Sequence, residues 1–520
     1  MTKQSLFTSE DGRSLAVPFI LVSSLFLLWG FCNGMIDVMD KHFQQELHLT
    51  LAQSAWVQFA HYLGYFLMAM PAGWLASKLG YKGGIIAGLL IVAIGGFWFI
   101  PATKIATFPA FLLGVCVIAS GLTFLETVAN PYSTVLGPKQ FAATRINLAQ
   151  SCNGIGWIFG PIAGAAFFYG KDATGQSTGS STLWIPYAAV GGVVLVLAVI
   201  FFFSNIPDIK SEDEFHLDDA EASGGGAPVA NRGIALGLLW LNIAVLSLAV
   251  GMILSAIVAI PSIGAMLGMT ENQALLYSSG ALFAIGTVVF LLKSERITNH
   301  SIWSHPHFSG ATLTQFFYVA AQCGIFAYFI NYMTSQIPAI PDAWQAGSFG
   351  GWFEVHKSGL LGLSDRGASA LASGGFVFFL IGRFIGAGLL KKFSAHHVLT
   401  VFASLAGLCS LLVFLKLGWL SAAAVFLSYF FMSIMFPTIF SLGIYGLGAR
   451  AKKASSFIVM AIMGGAIMPK LMGHVADVHG LSSGFIVPTV CFVVVAGYGF
   501  FWSRLSGSSG VVGMAAVKGH

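Results

Sequence analysis

Gly121-Leu-Thr-Phe-Leu-Glu126-Thr-Val-Ala-Asn130-Pro131-Tyr132-Ser-Thr is the stretch that decides how the rest of the chain is organised. It lies within residues 106–136, a run otherwise apolar or small and long enough to cross a bilayer as a helix. Glu126 stands about two-thirds of the way along, with no Lys or Arg within several residues. A carboxylate there is costly unless it is protonated or paired. It could serve only as a hydrogen-bonded tie between helices. It could also be a proton or substrate site facing a water-filled cavity, which is what an acid inside a span usually marks. Asn130 and Pro131, one turn later, support the second role. Pro131 has no N–H, so it frees a carbonyl one turn back and predicts a kink beside the acid.

The whole chain agrees with a membrane setting. Its 520 residues are 56% hydrophobic and only 9% charged, and its mean hydropathy is +0.82. A soluble protein carries charge on roughly a quarter of its residues. The class is an all-α polytopic membrane protein. The six cysteines fall in apolar runs without metal-ligand spacing and read as small core residues. No cleavable signal peptide is expected, because residues 1–13 are polar and the apolar run after them is too long.

Outward from the Glu126 run, apolar stretches predict six spans in the first part of the chain: residues 16–39, 54–77, 84–102, 106–136, 143–169 and 183–203. A polar acidic loop follows, residues 204–233, with Ser223-Gly-Gly-Gly-Ala-Pro228 as a flexible linker. Two further runs cover residues 234–260 and 276–292. Six more cover 308–333, 368–390, 398–415, 420–447, 455–475 and 485–502. About fourteen spans result. The expected division is an N-terminal six-helix bundle at 1–203, a cytoplasmic linker plus two extra helices at 204–307, and a C-terminal six-helix bundle at 308–520.

Charge placement supports that count. With the N-terminus inside, 17 of the 25 Lys and Arg fall in inner loops and six in outer loops, Arg383 and Lys470 lying within spans. This is the positive-inside bias, with both termini cytoplasmic. Losing one of the two middle spans would put Arg450, Lys452 and Lys453 outside, so both span or neither does.

The halves also resemble each other. Gly73 with Lys78 matches Gly386 with Lys391, and Pro131-Tyr-Ser-Thr-Val-Leu-Gly137 matches Pro437-Thr-Ile-Phe-Ser-Leu-Gly443. Two parallel repeats related by an axis along the membrane normal, with substrate at mid-depth between them, describe a major facilitator transporter.

Specific motifs sharpen this. They are Trp29-Gly30-Phe31-Cys-Asn33, Gln58-Phe59-Ala-His61, Leu125-Glu126-Thr-Val-Ala-Asn130-Pro131, Asn147-Leu-Ala-Gln150, Gly382-Arg383-Phe384 and Phe436-Pro437-Thr438. On these the chain resembles the fucose–galactose–glucose:proton symporter branch of the major facilitator superfamily, across both halves. The resemblance implies twelve core helices, alternating access, and uptake of L-fucose or a related hexose such as galactose or glucose, driven by protons. It implies that Glu126 is the coupling acid, that Asp37 is the first-helix acid, and that Gln150 and Asn153 are the sugar-binding amides. Members that carry fucose surround the first-helix acid with asparagines. Here Gly34 and Ile36 stand at two of those places and only Asn33 remains.

The residues can be weighed on chemistry alone. Asn147, Gln150 and Asn153 share one helix face. Each amide offers donor and acceptor together, which suits a sugar hydroxyl, although amides also tie membrane helices to each other. Gln58 and His61 share a face with Tyr65 and are cavity candidates. Gln315, Tyr318 and Gln322 could close the site from the second half. Asp40 and Lys41 suit an ion pair at the outer mouth. Arg383 reads as structural, near the inner end of its helix and bonded to carbonyls or loops. Lys470 snorkels toward an interface. The Lys78/Lys82 loop is a conformational latch by family analogy.

Other chemistries find no footing. No phosphate-binding glycine loop or metalloprotease histidine pair is present, so no cofactor and no metal are expected. Basic residues do not interleave with aromatics as nucleic-acid binding requires. The expected partners are a small-molecule sugar, protons and the lipid bilayer, in a monomer of a bacterial inner membrane. An uncoupled facilitator or channel for sugars or other small polar solutes is the alternative, and a membrane-embedded enzyme would show a clustered catalytic set. The charge count makes a topological prediction. A single cysteine placed at Met269, between the two extra spans, should react with an impermeant thiol reagent added outside. Labelling from the cytoplasmic side alone would remove both extra crossings.

Overall fold

The computed structural model describes residues 6–8, 12–46, 56–168, 182–209, 232–258, 261–340, 352–355 and 361–507. The first half holds α1 (Ala16–Glu46), α2 (Trp56–Ile105), α3 (Phe108–Val135), α4 (Ala142–Phe168) and α5 (Trp184–Phe203). Next come α6 (Arg232–Val258), the short α7 (Pro261–Leu267) and α8 (Glu271–His300). The second half holds α9 (Pro306–Ser335), α10 (Asp365–Leu390), α11 (Ala395–Phe414), α12 (Trp419–Met432), α13 (Met435–Gly443), α14 (Ala451–Met460), α15 (Gly464–His479) and α16 (Ile486–Ser506). A small antiparallel ribbon, β1 (Phe353–Val355) with β2 (Leu361–Leu363), precedes α10.

Twelve helical stretches of the described residues are long and apolar enough to cross a membrane. One of them, α2, is two crossings joined at Gly80, whose φ of 73° leaves the helical region. A side chain is disfavoured there by conformation, and the Asp208 carboxylate stands 3.2 Å from where a Cβ would sit. α4 adds a further helix of 27 residues. With α2 counted twice and α4 included, a helix stands at each of the fourteen predicted apolar runs.

Within the first half α2 packs on α3 and α5, and α1 packs on α4. Within the second, α11 packs on α12 and α16, and α9 packs on α15 and α16. The halves meet where α4 faces α10 and α13, and where α14 faces α2 and α3. The extra pair sits to one side. α6 packs on α8 and on α9, and Asn242 Nδ2 donates to the Ser309 carbonyl at 2.9 Å. Ala249 of α6 joins Phe316, Met463 and Ile467 of the second half, with Phe66 of the first half packed beside them. The outer face of α8 presents Ile285, Val288, Leu291 and Leu292. Such a face suits lipid, where apolar exposure carries no penalty. All six cysteines are free.

One charge assignment changes. Arg145, expected among the inner-loop charges, is fully buried in the first turns of α4. It donates to the carbonyls of Ser133, Thr134, Gly137 and Pro138. The last carbonyls of α3 lack helical donors and carry the negative end of its dipole, so a guanidinium is drawn there. The Lys78/Lys82 loop, expected to be a conformational latch, meets the second half through Tyr81, whose ring lies under Lys452. Lys82 donates to the Ser204 carbonyl at 2.9 Å, and Lys78 lies over its own neighbour Trp74. Among the described residues an ion pair joins Lys452 of the second half to Asp208, at 3.1 Å. Arg383 belongs to the site below. The expected linker at Ser223–Pro228 lies outside the described residues.

The Lys452 end is closed by more than that pair. Ser455 of α14 donates to the Thr127 carbonyl of α3 at 2.8 Å, and Lys452 lies 4.0 Å from the centre of the Tyr81 ring. Because Asp208 is half exposed, its pair contributes up to about 1 kcal/mol. Asp208→Asn should therefore raise the population open at this end by up to about fivefold. Distances between spin labels at the exposed Lys78 and Lys453 would report it. An unchanged distance distribution would show that the pair does not hold this end shut.

Candidate functional site

The two repeated prolines shape the meeting point of the halves. Pro131 cannot donate to the Thr127 carbonyl, and Pro437 cannot donate to the Ser433 carbonyl. The first carbonyl is bonded by Ser455 from the opposite half, and the second by Arg383 Nε at 2.9 Å. α3 stays helical through Pro131, whereas the chain breaks between α12 and α13 just before Pro437.

Glu126 is buried one turn before Pro131. Neither of its carboxyl oxygens has a hydrogen bond of normal geometry. Its polar neighbours are Tyr65 and Asn130, and the charge of Arg383 acts on it from the other half. Tyr65 in turn accepts a hydrogen bond from Trp29 Nε1. His61 lies against Tyr65, ring centres 5.0 Å apart. Asn33 turns back to donate to the Trp29 carbonyl at 2.9 Å, beside Tyr65.

The amide face of α4 continues the cluster. Gln150 Nε2 donates to Asn130 Oδ1 at 3.0 Å, and Asn153 Nδ2 donates to Gln150 Oε1 at 2.8 Å. Asn147 Nδ2 reaches across to Thr438 Oγ1 at 3.1 Å. Arg383 donates to the Gln150 carbonyl and, at 3.3 Å, to Gln150 Oε1. α1 lies close enough for this because residue 30 is glycine: a Cβ there would come within 2.5 Å of Asn153 Oδ1. Several buried polar atoms at this seam lack a hydrogen bond of normal geometry: Asn130 Nδ2, Asn147 Oδ1, Asn153 Oδ1 and His61 Nδ1. Buried polar atoms are nearly always bonded, so a cluster of such atoms is a place prepared for a polar guest.

The halves touch on both sides of the cluster. Toward Lys452 lies the Ser455–Thr127 bond. On the other side the Trp157 ring stacks on Phe376, centres 5.4 Å apart, and Tyr62 Oη contacts Cys323 Sγ at 2.9 Å.

A polar seam between two repeated helical bundles is the plan of one large transporter family, and the family model of the Major Facilitator Superfamily matches residues 18–324. The chain belongs to that superfamily. Within it, the chain is 34% identical to an L-fucose-proton symporter of Escherichia coli over 95% of both chains. It is 27% identical to a glucose/galactose transporter of Brucella abortus over 92% of both. These relatives place it in the fucose–galactose–glucose:proton symporter branch. The crystal structure of the E. coli fucose:proton symporter superposes with a TM-score of 0.66 at 30% identity, covering 94% of this chain and 100% of that one. A proton:xylose symporter of the superfamily shares the fold at a TM-score of 0.59 and 12% identity, over 94% and 96%.

Most of the expected site residues of this superfamily member converge. Glu126, Asn130, Asn147, Gln150 and Asn153 form one connected seam, with Asn33 and His61 next to it around Tyr65. Tyr318 is fully buried, donates to the Met432 carbonyl at 3.1 Å and acts electrostatically on Arg383. Gln58 and Gln322 are only half-buried. Asp37 lies on α1, eight residues past Trp29, and its side chain is outside the described ones, as are those of Asp40, Lys41 and Lys470. Three participants were named but not assigned to the site: Tyr65 as the neighbour of Glu126, Thr438, and above all Arg383. Arg383 bonds carbonyls as expected, but it does so in the buried seam and reaches the other half. A charged residue inside an apolar run was its available signal.

Gln150 is the most connected of the amides. Gln150→Ala or Asn153→Ala should leave membrane insertion intact and weaken sugar binding. Each lost hydrogen bond contributes about 0.5–1.5 kcal/mol, a loss of roughly two- to tenfold in affinity. Sugar affinity unchanged in both variants, measured by titration of the purified protein, would remove this face from the site.

Proposed function

We propose that this chain is a proton-coupled sugar symporter that works by alternating access, and that it takes L-fucose or a related hexose such as galactose or glucose. One observation carries the reading: a buried acid with no hydrogen bond of normal geometry stands in a seam of partly unpaired amides, between two bundles that meet on both sides of it. Similarity to symporters that move fucose with protons supports it. Glu126 is the proton-coupling acid, with Asp37 as a second acid. Gln150, Asn153, Asn147, Asn130 and Asn33 supply donors and acceptors for sugar hydroxyls, and His61, Gln58, Tyr318 and Gln322 complete the walls.

The cycle follows from linkage. Charge is costly in the dry seam, so Glu126 binds a proton when the site closes and gives it up when the site wets. Protonated Glu126 favours sugar binding and passage to the other side, which ties both ligands to one conformational equilibrium. The seam amides already bond to each other, so a sugar exchanges partners with them and the net gain per contact is small. The organisation that suits this cycle is the N-terminal bundle 1–203, the linker and extra helices 204–307 and the C-terminal bundle 308–520. The protein acts as a monomer in a bacterial inner membrane with both termini cytoplasmic, and it uses no metal, cofactor or nucleic acid.

Glu126→Gln fixes the side chain in a form that imitates the protonated acid. It should abolish uphill uptake driven by a pH gradient while keeping sugar binding and sugar-for-sugar counterflow. Asp37→Asn should also reduce uphill uptake if Asp37 couples protons, and leave it intact if the residue only lines the mouth. Both assays run in the same vesicles, with fucose, galactose and glucose in turn. A Glu126→Gln variant that still concentrates sugar as the parent does would exclude Glu126 as the coupling acid and leave an uncoupled facilitator as the better description.

A further inference from the structure

We infer that Arg383 is a coupling residue: it supplies, from the second bundle, the counter-charge for the ionised form of Glu126 in the first, so that proton release is tied to the contact between bundles. This deepens the reading of Glu126 as the proton-binding acid and rests on it.

Arg383 is only 3% exposed. Its Nε donates to the Ser433 carbonyl, and its Nη1 donates to the carbonyl and the side-chain oxygen of Gln150. The guanidinium also lies 4.7 Å from the centre of the Phe379 ring. All of these partners are neutral. A guanidinium does not give up its charge at physiological pH, and a buried fixed charge needs a balancing one. The titratable groups that act on it are Tyr318 of α9, Cys152 of α4 and Glu126 of α3. Tyrosine and cysteine are ordinarily neutral at neutral pH, which among the described residues leaves Glu126 to carry the counter-charge.

The surroundings of Glu126 lead to the same pairing. Its polar neighbours are Tyr65 of α2 and Asn130 of its own helix, and the charge of Arg383 reaches it from the second half. Behind Tyr65 stand Trp29, Cys32 and Asn33 of α1, and His61 of α2. Arg383 and Glu126 are further linked through Gln150, which bonds Arg383 on one side and Asn130 on the other. With Glu126 protonated, Arg383 is held by neutral acceptors only. With Glu126 ionised, the two charges attract across the interface. Protonation thus changes how strongly the bundles hold each other at the site, which is the differential interaction that a coupled cycle requires. Gln150 is also a proposed sugar ligand, so an arriving sugar competes with Arg383 for the same oxygen.

The test compares Arg383→Gln, which removes the charge, with Arg383→Lys, which keeps it, each alone and combined with Glu126→Gln. Gradient-driven uptake and counterflow are measured in reconstituted vesicles at internal pH values from about 6 to 8, a range that brackets neutral pH. Binding of labelled sugar to each variant confirms that it is folded. A change of one unit in proton affinity is tenfold in population. Arg383→Gln should therefore lower the ratio of uphill uptake to counterflow by about tenfold or more, with partial recovery when the interior is made more alkaline. Arg383→Lys should keep a larger share of uphill uptake than Arg383→Gln. In the Glu126→Gln background, Arg383→Gln should not lower that ratio further. A merely structural Arg383 would lose uptake and counterflow in proportion, with no change in pH profile and no advantage for Lys, and that result would overturn the proposal. If Glu126→Gln loses uphill uptake and Arg383→Gln keeps the parental ratio, only this proposal fails. If Glu126→Gln itself still concentrates sugar, the reading of Glu126 fails first.

Discussion

Two carbonyl oxygens, those of Thr127 and Ser433, cannot be bonded by their own helices, because Pro131 and Pro437 stand four residues on. In a bilayer no water is available to satisfy them, so the protein has to. Ser455 answers the first from the opposite bundle, and Arg383 answers the second. The consequence is a seam at mid-depth where the two halves bond to each other through side chains. Glu126 and the amides of α4 are gathered at that seam. Packing elsewhere is mostly helix on helix within each bundle, as with α2 on α3 and α1 on α4. A seam held by a few hydrogen bonds, each contributing about 1 kcal/mol, can be exchanged for others as the bundles move.

Polar groups at the seam differ from polar groups elsewhere in how completely they are bonded. Arg145, equally buried, has its donors spread over the carbonyls that end α3, and it acts as a helix cap. Arg383 instead bonds only neutral groups, and neither carboxyl oxygen of Glu126 has a hydrogen bond of normal geometry. A fully satisfied network rigidifies, whereas a partly satisfied one leaves room for a proton or a hydroxyl to decide its arrangement. The same contrast separates Asn242, bonded to Ser309 at the flank, from Asn153, whose Oδ1 has no bond of normal geometry.

The extra helical pair bears on this motion. α6 touches Phe316, Met463 and Ile467 of the second half and Phe66 of the first. Its contacts therefore straddle the line along which the halves move, while α8 faces outward with apolar side chains. Apolar contacts there have no hydrophobic driving force, because lipid is as apolar as the side chains it would replace.

Much of this was legible in the sequence, and for identifiable reasons. Long apolar runs must be helices in a membrane, so the spans could be counted. Charge bias pointed to both middle helices being present, and both are there as helices of spanning length. Glu126 was conspicuous because an acid in an apolar run has no cheap structural use, and Asn147, Gln150 and Asn153 shared a face by helical spacing alone. What the sequence could not decide was pairing across the fold. Arg383 lies more than 250 residues from Glu126 along the chain, and no local pattern says that their helices meet. Arg145 was placed in a loop because loop and first turn look alike to a charge count. Lys452 found Asp208 only because α14 comes to rest against α2 and α3, near the stretch that follows α5. Helix formation in lipid is dictated locally by the need to bond every backbone group. Which charges face each other depends on how two bundles are set together, and that is a property of the tertiary structure alone.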